Sequence, residues 1–220
     1  MAQTNILKLS EVRNQERMDS EYFQKIILKL VSKIEKLPNQ RLGDLCLVKS
    51  GRTPKYSEEG KVKVIRSGDL NRDLFVDRDE LLKTNEQKLF FVNNNDIFIS
   101  SIGRGSIGKI NIYDEKEKLA TVSEVNVLRN PKINPYYLFI FLRTIFGQEQ
   151  INREITGATG QLHLLKSNTK KMLIPIPSDK FQKEIEKEVL LAKKYYEESK
   201  ELYEKAEEIL LKEMGVEDYI

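Results

Sequence analysis

Three short stretches of this chain combine glycine with small hydroxyl and cationic side chains, a mixture suited to contact with a polyanion. In Lys49-Ser50-Gly51-Arg52-Thr53-Pro54-Lys55 the glycine permits close backbone approach, and Ser50 and Thr53 can bond phosphate. Arg52 can grip a phosphate or a guanine edge with two parallel donors, and Lys55 adds charge. Between Thr156 and Lys166 a glycine loop, Thr156-Gly157-Ala158-Thr159-Gly160, precedes Gln161, whose amide matches an adenine edge, then His163 and Lys166. The third stretch, Ser100-Ser101-Ile102-Gly103-Arg104-Gly105-Ser106, presents Arg104 on a turn. It lacks the lysine-and-hydroxyl arrangement of a Walker loop and the glycine spacing of a dinucleotide site, which argues against a nucleotide ligand. The candidate contacts are therefore Ser50, Arg52, Thr53, Lys55, Arg104, Gln161, His163 and Lys166. Solvated turns use the same residue types, so each loop taken alone is open to that plainer reading.

Catalytic constellations are weaker. His163 is the only histidine, which leaves no histidine-based metal site and no triad. Cys46 is the only cysteine, excluding an internal disulfide and a cysteine metal cluster, and its run Leu45-Cys46-Leu47-Val48 reads as core. Asn134-Pro135-Tyr136-Tyr137 is close to the Asn-Pro-Pro-Tyr signature of amino-methylating DNA methyltransferases but lacks the second proline and a preceding glycine-rich cofactor loop; a helix cap explains it better. Glu86 and Lys88 behind Asp77 and Asp79 can be arranged as a nuclease set, yet in a chain that is 32% charged such spacings arise freely. The expectation is a non-catalytic chain with no metal and no cofactor.

The elements that hold these loops follow from periodicity. Residues 42–48, 62–65, 89–92, 96–100, 107–113 and 125–128 are short β-branched or aromatic runs between turn residues, which predicts a mainly β region. Before it, Tyr22, Ile26, Ile27, Leu30, Val31, Ile34 and Leu37 form one helical stripe after Asp19, stopped by Pro38. After it, Asn134 and Pro135 start a helix over residues 136–146 that Gly147 should stop, a second helix covers 148–155, and residues 170–174 read as a last strand. The prolines of Ile174-Pro175-Ile176-Pro177 end the sheet, and Ser178 caps a helix running to Met214, about 54 Å at about 1.5 Å per residue. The class is α+β: an N-terminal helical segment (1–38), a mainly β unit with short helices (39–177), a long helix (178–214) and a tail (215–220).

A helix that long needs a partner. Val189, Ala192, Tyr196, Ser199, Tyr203, Ala206 and Leu210 alternate by three and four, with small residues every seven positions that let a second helix approach; packing on the helix's own domain is the alternative. The net charge of +3 is uneven: residues 1–177 carry 29 Lys and Arg against 21 Asp and Glu, and residues 178–214 carry 8 against 11. A basic body beside an acidic helix suits a domain that meets polyanion while its helix meets protein. No signal-peptide pattern and no membrane-spanning window occurs, so a cytoplasmic protein is expected.

Together these features resemble the specificity subunit of type I restriction-modification systems. The resemblance rests on Arg17-Met18-Asp19-Ser20-Glu21-Tyr22-Phe23, Gly51-Arg52-Thr53-Pro54, Asp96-Ile97-Phe98-Ile99-Ser100, Gly157-Ala158-Thr159-Gly160-Gln161 and the proline hinge with Gln182 and Ile185, and spans nearly the whole chain. It implies a target-recognition domain that binds double-stranded DNA and brings an adenine methyltransferase (modification) subunit and a restriction endonuclease subunit to a split site. Family members usually carry two such domains on two long antiparallel helices. This chain has one, which implies a half-size subunit acting as a homodimer through an antiparallel coiled coil on a bipartite, palindromic site. The hinge also departs from the family's usual Pro-Pro and Glu-Gln, here Pro-Ser and Phe-Gln. A coiled-coil nucleic-acid-binding or protein-interaction module outside restriction-modification is the alternative.

Overall fold

In the computed structural model, residues 5–13, 17–20, 22–71, 75–76, 81–103, 105–157 and 162–216 are described. Two short leading helices, α1 (Leu9–Arg13) and α2 (Lys25–Glu35), precede β1 (Asn39–Arg41), the one-turn α3 (Leu42–Leu45) and β2 (Leu47–Ser50). The β region continues with β3 (Val62–Ile65), a 3-10 turn (Ser67–Asp69), β4 (Leu82–Thr84), β5 (Phe90–Phe91), β6 (Ile97–Ser100), β7 (Ile110–Ile112), β8 (Ala120–Thr121) and β9 (Val125–Arg129). Helices α4 (Pro135–Arg143), α5 (Ile145–Glu154) and α6 (Lys166–Thr169), strand β10 (Leu173–Pro175) and helix α7 (Asp179–Met214) complete the chain. The class is α+β, as the sequence predicts.

The layering follows from side-chain alternation. Strands β2-β9-β6-β7 form an antiparallel sheet whose one face, with Val48, Ile97, Ile99, Ile112 and Leu128, packs on Ile34, Leu138, Phe139, Leu142 and Ile151 of the helices. Its other face, with Phe98, Val125 and Val127, packs on Val64, Ile65 and Ala120 of the second sheet, β4-β3-β8-β5. Buried on both faces, β6 begins as a continuous apolar run, Ile97-Phe98-Ile99, and β9 is apolar but for Asn126 and the terminal Arg129. The second sheet is mixed, because β3 and β8 pair in parallel. Strands β1 and β10 pair apart from both, tying the chain before the body to the hinge before α7.

Three local expectations are corrected. Residues 42–48 are not one strand: Leu42 and Leu45 point inward from a helical turn and Val48 from β2, whereas an alternating strand would put Leu42 and Leu45 on opposite faces. Gly147 does not stop a helix. The break falls at Thr144, and Gly147 lies within α5, where a side chain would meet the Leu142 backbone at 2.4 Å. Residues 166–169 are helical, so the last strand begins only at Leu173.

Helix α7 begins where the prolines and Ser178 predict, with the Ser178 Oγ accepting from the Phe181 amide at 3.4 Å. Its first half lies on the body. Gln182 Oε1 accepts from the Asn134 amide at 2.9 Å, and Asn134 Nδ2 donates to Glu186 at 2.8 Å. Val189 is only 5% exposed and belongs to the chain's own core, so this member of the expected seam is occupied by an intramolecular contact. Ala192 and Tyr196 are half-buried, whereas Ser199, Tyr203, Ala206 and Leu210 are exposed, as is every residue from 201 to 210.

Candidate functional site

Strand direction decides which loops meet. Ser50 at the end of β2 pairs with Asn126 near the start of β9, and Val125 pairs with Ser100 at the end of β6, so the chain leaves the central sheet at one edge after β2 and β6 and re-enters it there at β9. The second sheet delivers two more turns there: the Thr121 hydroxyl donates to Ile65 O at 2.9 Å, and Ser67 Oγ bonds to Ser100 Oγ and to Ile102 O. The loop after β2 is sealed to this edge by Gly51, whose amide donates to Val122 O at 3.0 Å. A Cβ at Gly51 would lie 1.8 Å from Thr121 O, so the close approach demands glycine.

The loop after α5 joins the same edge through its backbone. His163 pairs with Thr156 and with Ile102, and the Leu164 amide donates to Ser101 O at 2.8 Å. Buried Asn126 anchors it from beneath, donating to Leu164 O at 2.9 Å and Thr169 Oγ1 at 3.1 Å. Lys166 Nζ reaches Ser50 Oγ at 3.0 Å, a contact between residues 116 positions apart. The structure therefore brings Ser50, Thr53, His163 and Lys166 together, with Arg52 exposed beside them. Thr53 bonds Ser123 at 2.8 Å and Glu124 at 2.9 Å, placing one carboxylate on the face. Lys55 is drawn away: its amide and carbonyl are held by Glu86 and Thr84, at the opposite end of β3. Arg104 and Gln161 lie outside the described residues, as do Asp77 and Asp79.

Sequence reading missed two contributors to this edge. Lys49 is exposed on β2 next to the loop it precedes, and Arg66-Ser67-Gly68-Asp69 forms a tight turn in which Asp69 pairs with Arg66 at 2.6 Å. The available signal was a polar glycine turn directly after the apolar Val62–Ile65 run, the same composition that marked the other loops.

Helix α7 attaches at the other end of the strands. Lys193 Nζ donates to Asp114 O at 2.7 Å and pairs with Glu115 at 3.1 Å, just past the end of β7, which pairs with the start of β6. Burial opposes the Lys193 charge, but the Glu115 hydrogen bond and both carboxylates outweigh it and raise its pKa above the usual lysine value. Strands of four residues, at about 3.3 Å rise each, set the loop edge and the helix roughly 10 Å apart at the sheet. Among the described residues no group of three or more His, Cys, Asp and Glu side chains could hold a metal ion, and no helix is long and apolar enough to cross a membrane.

The family described as Type I restriction modification DNA specificity domain matches residues 34–189, most of the chain. The chain belongs to that family. This specificity domain also resembles solved structures in fold: the HsdS subunit from Thermoanaerobacter tengcongensis at 18% identity and TM-score 0.50, over 76% of this chain and 45% of that one. The type IIG restriction endonuclease BpuSI follows at 11% identity and TM-score 0.58, over 78% of this chain and 28% of the enzyme. A type I restriction-modification S subunit from M. genitalium aligns at 20% identity and TM-score 0.45, over 63% of this chain and 33% of that one. The domain thus spans half or less of the solved chains it matches. No curated protein matches it significantly.

Proposed function

We propose that this chain is the non-catalytic DNA-recognition component of a type I restriction-modification system. Its loop edge contacts duplex DNA, with Ser50, Arg52, Thr53, His163 and Lys166 at the centre and Arg104 and Gln161 as further contacts; Lys55, held at the opposite end of β3, is left out of the contact set. The observation that carries this reading is the convergence of loops from distant parts of a basic body on one edge, across the sheet from the helix, in a specificity-domain fold. The division at the proline hinge is then functional, with residues 39–177 reading DNA and 178–214 serving assembly. Two copies pair through the exposed half of α7 at Ser199, Tyr203, Ala206 and Leu210, presenting two identical domains to inverted half-sites. An adenine methyltransferase subunit and a restriction endonuclease subunit are the proposed partners, in the cytoplasm.

The test is selection from a pool of random 40-base-pair duplexes by the purified chain, followed by binding of the enriched sequence over a salt series. The expected result is an enriched half-site or its inverted pair. Arg52→Ala and Lys166→Ala should each weaken binding and reduce the salt slope by about 0.9 for each phosphate that is no longer neutralised. No enrichment over a scrambled duplex, or equal binding by both variants, refutes the reading.

A further inference from the structure

The N-terminal residues Arg17, Asp19 and Tyr22 play no part in the contact face, yet they reach across the molecule to its base. Arg17 Nη1 donates to the carbonyls of Arg153 and Ile155, both at 2.9 Å, 136 and 138 residues further along. Its Nε donates to Asp19 Oδ2 at 2.6 Å, and Asp19 Oδ1 accepts from the Tyr22 amide at 3.0 Å, which fixes the turn that carries them. The Tyr22 ring lies beneath the Arg153 guanidinium at 3.8 Å from its centroid, with the Arg17 guanidinium 5.5 Å away. Arg153 Nε is buried without a hydrogen-bond partner, so the ring face is what receives this guanidinium.

The two carbonyls are what matter. A helix ends with carbonyls that have no partner within it, and a cation placed there satisfies them and suits the negative end of the helix dipole. Arg153 and Ile155 lie at the end of α5, and the next residue, Thr156, exchanges two hydrogen bonds with His163, at 2.9 and 2.8 Å. The last turn of α5 is therefore the base from which the chain enters the contact edge. Burial opposes ionisation of Asp19, but the bonds from Arg17 and the Tyr22 amide outweigh it and hold the carboxyl below its ordinary value. The Asp19 carboxylate is therefore charged at neutral pH.

We infer that Arg17, braced by Asp19 and Tyr22, is a positioning residue for DNA recognition: it caps α5 from outside and so fixes the Thr156–His163 pairing at the contact edge. This rests on the DNA-binding reading above, and the two can fail separately. The first measurement needs no DNA. Amide hydrogen exchange in the full chain should speed up tenfold or more at Thr156, His163 and Leu164 in Arg17→Ala, while the β6–β9 ladder amides of Ile99 and Leu128 keep their wild-type rates. Arg17→Lys, which retains charge but not the forked donors, should fall between. Unchanged rates at the three amides overturn the inference, as does an equal acceleration of the ladder, which would make Arg17 a general stability residue.

The second measurement repeats the random-duplex selection. Arg17→Ala should give a motif degenerate at some positions that the wild type specifies, with affinity at low salt within twofold. An unchanged motif overturns the positioning role. If wild type, Arg52→Ala and Lys166→Ala all bind the pool alike, the DNA reading falls and the recognition role with it, and the exchange rates alone still decide whether the clamp holds the Thr156–His163 pairing.

Discussion

Gly51 offers the sharpest test of how the contact edge is assembled. A Cβ there would stand 1.8 Å from Thr121 O, 2.4 Å from Thr121 C and 2.8 Å from Val122 O, all backbone atoms that no rotamer change can move. Ordinary contact begins near 3.4 Å, so Gly51→Ala must push the loop away by about 1.6 Å. That displacement stretches the Gly51 amide bond to Val122 O, now 3.0 Å, beyond bonding distance. Overpacking of this kind costs about 1–3 kcal/mol and the broken hydrogen bond about 1 kcal/mol, a combined expectation of about 2–4 kcal/mol. Gly68 is the matched control: it lies in the turn after β3, and a Cβ there meets nothing within 4 Å, so Gly68→Ala should stay within about 0.5 kcal/mol of wild type. Urea unfolding followed by circular dichroism reads both, and at a slope of about 2 kcal/mol per molar the Gly51 variant should lose about 1–2 M of midpoint. Two variants with indistinguishable midpoints would refute the claim that glycine is required by close approach.

Other consequences are measurable on the same protein. Asp96 is 1% exposed and paired at 2.6 Å with Arg129, which also donates to Phe91 O and lies over Phe90, so Arg129→Ala should cost about 3–5 kcal/mol by stranding a buried carboxylate; a loss under 1 kcal/mol in urea unfolding contradicts this. Asn134→Ala removes a cap that accepts from the Tyr136 and Tyr137 amides and a bond to Glu186, with an expected loss of about 1–2 kcal/mol in the same assay. Burial pushes the Cys46 thiol up to about 12, so the native chain should resist a thiol reagent at pH 8 and react only on unfolding. The sign of its pH dependence follows: the unfolded thiol ionises near 9.0 and the folded one higher, so this contribution is complete below pH 9 and declines as pH rises toward 12. Rapid labelling of folded protein would contradict it.

What the sequence made legible was local. The apolar run Ile97-Phe98-Ile99, the Asn134-Pro135 start and the proline hinge each report their own backbone, and the elements stand where those signals put them. The misreadings share one cause, that a single pattern served two geometries. The short apolar run Leu45-Cys46-Leu47-Val48 suits a strand by composition although its first residue closes a helical turn, and Gly147 could end a helix or admit the Leu142 backbone. Val189 fits a seven-residue repeat whether the facing surface belongs to another copy or to the same chain, and here it is the same chain. The contact edge was recognisable as three separate loops, but their meeting was not, because Ser50 and Lys166 are brought together only by strand order.

The bare outer half of α7 makes its own order conditional. From residue 201 to 210 every side chain is exposed, including Leu202 and Tyr203 at 67%, so this stretch draws nothing from tertiary packing. A helix of this length supported only by its own backbone bonds is close to break-even in water. Its helicity is then a reporter of occupancy: ellipticity per residue should rise with protein concentration or with added partner, and fall on dilution, while the β body stays unchanged. In the proposed pairing, the outer turns of α7 are a thermodynamic gauge of assembly.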